Sequence, residues 1–422
     1  MFRLRLACAS IALVASMALD ARVRADAVLD WNVIALKTTA AAAFNPPLET
    51  RNLAIVHAAI FDAVNAIDRR FHPYVVRLRA PVWASANAAA IAAAHATLVR
   101  LYPEQQSMLD TAYMTSLDQI PDGPAKTAGV SVGESVALQV LMMRASDGAA
   151  EAVAAPYTPG GRPGDWIPTP PAFQPALDPG WGSVQPFFLR KGSQFRPGPP
   201  PALGSSRYTR DFIEIAAIGS SANVTRSQDQ TDIARFWIAT AAQNWNPVAR
   251  EVATARGFTL AENARAFALL NIIGADAFIA AWDAKFAYNQ WRPVTAIAAA
   301  GTDGNPDTDA DPAWTPLLVT PRFPDYIAGH TTYAGAAQVA LEHLFGKRPG
   351  LVMTLTSATA PGVVKSYTSF EQIADDVVDA RVWGGIHWRT SSVRGRVVGM
   401  EVGTYAVRRF LKPRSHDNTR DD

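Results

Sequence analysis

Three short segments in the last third of this 422-residue chain set charged and titratable side chains into otherwise apolar surroundings. The first is Lys285-Phe-Ala-Tyr-Asn-Gln-Trp-Arg292-Pro293, at the end of a long apolar helical stretch. Seven residues make two helical turns, so the spacing predicts Lys285 and Arg292 on one stripe together with Trp282 and Asn289. Two cations placed side by side repel unless an anion lies between them or water screens them. The plain alternative is a pair of surface cations.

The second segment, Phe323-Pro324-Asp325-Tyr326-Ile327-Ala328-Gly329-His330-Thr331-Thr332, runs directly into a helix. Gly329 lets a ligand approach the backbone, and the free amides and dipole of a helix start favour an anion. His330, in the first turn, reads as a proton donor to that anion. The third is Arg381-Val-Trp-Gly384-Gly385-Ile-His387-Trp388. A guanidinium offers an oxyanion a fork of hydrogen bonds. The two glycines break the helix and bring His387 round to the same point. A histidine held there attacks phosphorus, or ligates a metal oxyanion, through one ring nitrogen while the other is fixed by an acceptor. The common ligand that the three segments imply is a tetrahedral oxyanion.

Lys-x6-Arg-Pro, then Gly-His at a helix start, then Arg-x3-Gly-x-His resembles the signature of the vanadium-dependent haloperoxidase and type 2 phosphatidic-acid phosphatase superfamily. Upstream, Gly164-Asp165-Trp166, Pro186-Phe187-Phe188, Gln230-Thr231-Asp232-Ile233-Ala234-Arg235-Phe236-Trp237 and Asp283-Ala284-Lys285 resemble its bacterial secreted haloperoxidase-like branch. The resemblance implies that Lys285, Arg292 and Arg381, with the Gly329 amide, bind the oxygens of vanadate or phosphate. It makes His387 the vanadium ligand or the phosphatase nucleophile, and His330 the acid–base residue. One site serves both chemistries because vanadate mimics the phosphoryl-transfer transition state. This chain departs from the family at Ala328, where a serine is usual, and at Ala380, often also serine. A hydroxyl bonded to a charged group contributes about 1.5–3 kcal/mol, so losing it at Ala328 weakens anion binding.

The leading expectation is therefore a haloperoxidase-like enzyme that oxidises a halide with peroxide, vanadate being its cofactor. The runner-up is a periplasmic acid phosphatase with a phosphohistidine at His387. A third reading, an oxyanion-binding protein without catalysis, draws on Ala328. The substrates expected are small molecules: peroxide, halide and an organic acceptor, or a phosphate ester. The halide and the oligomeric state stay open.

The remaining sequence must position these segments. Residues 1–25 have a basic start (Arg3, Arg5), an apolar run from Leu6 to Leu19, and Val23-Arg24-Ala25 before Asp26, the layout of a secretory signal. An exported protein, periplasmic or secreted after cleavage near Ala25, is the expectation. The apolar run is too short to span a bilayer, and no later stretch reads as the roughly 20 apolar residues a span needs. Without residues 1–25, Lys+Arg falls from 39 to 35 and Asp+Glu from 37 to 36, a net charge of −1. That balance gives no support to nucleic-acid binding. Cys8, the only cysteine, leaves with the signal, and disulfides and thiolate-ligated metals leave with it. No phosphate-cradling Gly-rich run ends in Lys-Ser or Lys-Thr, so no nucleotide is expected, and no haem.

Helical periodicity dominates, and the fold class expected is all-α: an N-terminal helical bundle (26–145) packed on a C-terminal bundle (206–412) that carries the site. A Pro/Gly-rich, aromatic-studded stretch (146–205) links them as an ordered wrap, or the lid of a pocket. A charged tail (413–422) follows. Residues 351–357 give the one strand signal. Asp379, with Asp376, is a candidate to orient Arg381 or His387, and Trp383 and Trp388 are candidates for the pocket wall. His57 and His95 read as packed or surface histidines. The acidic stretch Asp303–Asp311 lacks the glycine and glutamate of a calcium loop and reads as solvated.

Overall fold

A computed structural model describes residues 26–43 and 45–414; the expected signal, and the tail from residue 415, lie outside the described residues. The helices are α1 (Ala27–Ala41), α2 (Pro46–Asp68), α3 (Ala86–Leu101), α4 (Gln106–Leu117), α5 (Pro124–Arg144) and α6 (Ala149–Ala154). After the wrap come α7 (Ser206–Ile218), α8 (Gln228–Phe236), α9 (Ala241–Ala255), α10 (Leu260–Tyr288), α11 (Pro293–Ala298) and α12 (Gly329–Phe345). A hairpin of β1 (Met353–Ser357) and β2 (Ala360–Tyr367) precedes α13 (Phe370–Trp383) and α14 (Arg389–Val407). The molecule is predominantly helical, as the periodicity predicts. The hairpin is antiparallel with Met353 opposite Tyr367. Its second strand went unread because Ala-Pro-Gly-Val-Val-Lys-Ser-Tyr is largely exposed and lacks a clean alternation.

Helix starts follow local chemistry. Asp26, Asn45, Ser85, Ser205 and Ser369 accept first-turn amides at α1, α2, α3, α7 and α13. Ser227 with Gln230, and Thr259 with Glu262, form capping boxes on α8 and α10. Pro46 and Pro47 separate α1 from α2, and they also open α2, where the missing amides cost nothing.

α10 is the hub. It packs on α2 from the N-terminal half and on α12 and α14 from the C-terminal half, so one continuous core runs from Ala27 to Leu411. By length and composition α10 could cross a membrane, contrary to the sequence reading; 94% of its most apolar stretch is buried inside the protein. α12 and α14 approach so closely that a Cβ on Gly399 would lie 1.9 Å from the Thr332 carbonyl oxygen, and one on Gly395 2.3 Å from Thr331 Oγ1. That contact brings the start of α12 against the start of α14.

The wrap is bonded along its length to the core. Asp276, fully buried in the middle of α10, accepts the amides of Phe187, Phe188 and Leu189 at 2.7, 2.7 and 2.9 Å. Further along, the Trp166 amide donates to the Asn289 carbonyl and the Leu177 amide to that of Arg322. Trp282 Nε1 donates to the Leu177 carbonyl at 3.2 Å. The wrap thereby fixes both the C-terminal end of α10 and the loop before α12. Replacing Asp276 by Ala strands three buried amides. We expect a loss of about 3 kcal/mol or more, read by thermal unfolding, with faster proteolysis within 146–205. An unchanged melting temperature would show that the carboxylate does not staple the wrap.

Candidate functional site

The three segments meet. The sequence reading placed Lys285 and Arg292 on one helical stripe, and here the structure corrects it. α10 ends at Tyr288, Asn289 caps it in the left-handed conformation (φ 51°), and Arg292 is already the N-cap of α11. Pro293, which cannot continue a helix, starts the new one. The cations converge through this break in the helix. Lys285 is wholly buried and its Nζ donates to the Pro324 and Asp325 carbonyls at 2.9 and 2.8 Å. Arg292, also wholly buried, donates from Nε to the Phe323 carbonyl at 2.7 Å and from Nη1 to that of Ile386 at 2.6 Å. The Phe323 ring lies 4.8 Å from both cations, presenting its negative π face.

Arg381 comes from the last turn of α13 and donates from Nη2 to the Trp237 carbonyl at 2.6 Å. Gly385, with φ +74°, makes the turn that brings His387 back, and the His387 amide donates to the Arg381 carbonyl. His387 Nε2 lies 3.1 Å from Arg292 Nη1. A guanidinium only donates, so Nε2 carries the lone pair and Nδ1 the proton. Nδ1 faces Asp325 Oδ1 at 3.2 Å, within ion-pair distance though without the alignment of a hydrogen bond.

Asp325 is the residue the sequence reading quoted but did not assign. It is fully buried, and among the described residues it is the carboxylate that faces this set of cations. Burial pushes its carboxyl up to about 6, opposed by Arg292 and Lys285. Burial also lowers the cations: Arg292 to about 10, Arg381 to about 9, and Lys285 well below its ordinary value, where Arg292 adds to the effect. His387 is held well below its ordinary value by burial and by Arg292, Lys285 and Arg381.

The N-cap of α12 is Ala328, whose side chain cannot cap, so no side chain takes the first-turn amides at Gly329 and His330. His330 is the partly exposed member of the set. Its Nε2 donates to the Ala239 carbonyl at 3.1 Å, which leaves Nδ1 as an acceptor. Burial, and then the Arg381 charge, bring its pKa down to about 3. The expected proton donor is thus, with no anion bound, a neutral ring ready to take a proton.

Other candidates separate from the site. Asp379 does not orient Arg381 or His387. It pairs with Arg389, which also binds Glu214 at 2.6 Å, because the α13 face carrying Asp379 looks toward α14 and α7. Asp376 accepts the Tyr367 hydroxyl at 2.7 Å. Trp388 is buried and stacks on Phe212, with its Nε1 on the Trp291 carbonyl; it braces the loop that carries His387. Trp383 packs, partly buried, on the main core. His57 is buried against Asn32, and His95 pairs with Asp110 at 2.7 Å.

An oxyanion fits what remains unsatisfied. Arg292 Nη2 and Arg381 Nε are buried without a partner among protein atoms. Three buried cations are set against one buried carboxylate, whose charge bears on Lys285 and Arg292, so positive charge is in excess by two. Among the described residues no group of three or more His, Cys, Asp or Glu side chains forms a site for a bare metal ion.

Known proteins resemble this chain over most of its length. The family model for the VCPO second helical-bundle domain matches residues 265–415, which include Lys285, Arg292, His330, Arg381 and His387. Vanadium chloroperoxidase of Curvularia inaequalis is 26% identical over 409 residues, covering 76% of this chain and 66% of its own length, just under two thirds. The structure of the first bacterial vanadium-dependent iodoperoxidase superposes with a TM-score of 0.79 at 26% identity, covering 92% of this chain and 97% of that one. An apo-type bacterial vanadium-dependent chloroperoxidase shares the fold, with a TM-score of 0.72 at 19% identity over 86% of this chain and 94% of its own.

If the His330 ring is held neutral as described, its NMR resonances in anion-free protein stay fixed between pH 5 and 8. A midpoint inside that range would mean that Arg381 and burial do not control it.

Proposed function

Because this chain belongs to the vanadium haloperoxidase superfamily, we propose that it is a vanadate-dependent haloperoxidase that oxidises a halide with hydrogen peroxide. The observation that carries this reading is the buried set Lys285, Arg292 and Arg381 around one carboxylate, with two guanidinium N–H groups unpartnered and His330 and His387 facing the same region. Lys285, Arg292, Arg381 and the Gly329 amide would hold the vanadate oxygens. The lone pair on His387 Nε2 would ligate the vanadium. When bound, vanadate supplies the Lewis-acid centre at which peroxide becomes an oxidant for halide.

The protein's own residues supply the rest. The fixed guanidinium and ammonium groups stabilise negative charge at no reorganisation cost, because carbonyls and packing already hold them. The neutral His330 ring accepts a proton at Nδ1, while its Nε2–H stays on the Ala239 carbonyl and keeps the ring aimed. Acceptance at Nδ1 makes the ring a cation, and the oxyanion charge beside it then favours that form. Its partial exposure gives the proton a route to solvent. Ala328 withholds one hydroxyl from the anion, so retention of the cofactor rests on charge more than on hydrogen-bond count.

The chain residues 26–422, incubated with orthovanadate, should turn over iodide and bromide with peroxide. Loss of that turnover in His387→Ala, with inhibition by orthophosphate, is the expected result. Absence of turnover at every vanadate concentration, with hydrolysis of a phosphate ester by the same sample, would replace this reading with the phosphatase one. We propose further that the protein is exported with cleavage after Ala25. A mature species beginning at Asp26 is expected by mass spectrometry of the exported fraction, and an intact N-terminus there would refute it.

A further inference from the structure

Asp325 sits where its charge opposes the ligand that the site is built to hold. Its carboxylate is buried beside Lys285, Arg292 and His387, and it repels any anion the cations attract. The segment that carries it is pinned from several sides. The Asp325 amide donates to the Gln290 carbonyl, and its own carbonyl accepts Lys285 Nζ at 2.8 Å and the Ser391 hydroxyl at 3.2 Å. The placement is therefore fixed by the backbone, and the side chain has one titratable neighbour at close range, the neutral His387 ring with Nδ1 at 3.2 Å.

We propose that Asp325 is a positioning residue that trades anion affinity for turnover. It holds the Nδ1 side of His387 so that the Nε2 lone pair, now against Arg292 Nη1, is kept on the side of the cradle where the anion would bind, and it lowers the charge of the cradle from three to two. Two consequences follow from simple electrostatics. With Asp325 present, the three cations remain buried and charged when no anion is bound, so the site stays assembled between ligands. The same negative charge weakens the grip on the ligand, most for anions of high charge. A neutral, nearly isosteric side chain reverses both effects: the anion binds more tightly, and His387 loses the charge that orients and steadies it. A residue with a merely structural role would weaken binding and turnover together; Asp325 should move them in opposite directions. The inference rests on the oxyanion reading of the site and not on which reaction the site performs.

The test is calorimetric titration of orthophosphate into the full chain, wild type beside Asp325→Asn, followed by steady-state kinetics of the vanadate-loaded proteins. Asparagine should bind phosphate about tenfold more tightly or better, while kcat falls at least about tenfold and KM for peroxide changes little. If Asp325→Asn is unstable without an anion, thermal unfolding reads the same quantity. The rise in melting temperature on adding saturating phosphate should then be larger in the variant than in the wild type. Asp325→Glu, which keeps the charge and displaces it, should leave phosphate affinity within about threefold and still lower kcat. Equal or weaker phosphate binding in Asp325→Asn, or an unchanged kcat, would overturn the proposal. Wild-type protein that binds phosphate without oxidising halide would defeat the proposed reaction, and the kcat comparison would then be made on phosphate-ester hydrolysis, where an unchanged kcat in Asp325→Asn overturns this inference. Wild-type protein that does not bind phosphate would remove the cradle and this inference with it.

Discussion

Taking a cation out of water costs several kcal/mol even after the surroundings relax, and this chain does so three times in one place. Lys285, Arg292 and Arg381 are not neutralised there one for one. Their hydrogen bonds go mostly to main-chain carbonyls: Phe323, Pro324 and Asp325 for the first two, Ile386 for Arg292, and Trp237 for Arg381. Carbonyl dipoles stabilise a buried positive charge without cancelling it, so the site keeps a net attraction for an anion. Exposed and half-buried cations elsewhere are treated differently; Arg389 has two carboxylates, Glu214 and Asp379, and Arg51 has Asp147. The need for free carbonyls also dictates where helices end. Inside a helix the carbonyls are already used, so the acceptors come from the turn before α9, the loop before α12 and the turn before α14, three of the helix breaks in this half of the chain.

Much of this is readable from residue types. Lys285, Arg292, His330, Arg381 and His387 announce themselves because charged side chains in apolar text need a partner, and the structure brings those five together. Helical periodicity located nearly every long helix, since α2, α10 and α12 bury a continuous apolar face. What was not readable depended on tertiary direction. Spacing alone put Arg292 on the stripe of Lys285, although Asn289 in the left-handed region and Pro293 were signals of a break between them. Asp379 looked like a partner for Arg381 because it is two residues away; two residues along a helix point to different sides, and its partner is Arg389. Asp325 carried a usable signal, a lone acid inside Phe-Pro-Asp-Tyr-Ile, yet its neighbour His387 is 62 positions further on in the sequence. The turn from Trp237 to Ala239, which supplies carbonyls to Arg381 and His330, has no polar side chain to advertise it.

The Asp276 staple has a consequence for how the molecule is made. The amides it accepts, at Phe187 to Leu189, precede it by 87 to 89 positions. Contacts so distant in sequence form slowly, because a long loop must close before any of the reward arrives. At the roughly 5–20 residues per second of synthesis, the wrap emerges several seconds before α10 exists to receive it. Trp181, whose turn packs on α10, waits through that interval, while Phe188 already has Tyr74 and Trp166 has Tyr157 to lie against. The order of translation, and not only the final packing, thus bears on how this protein can be produced.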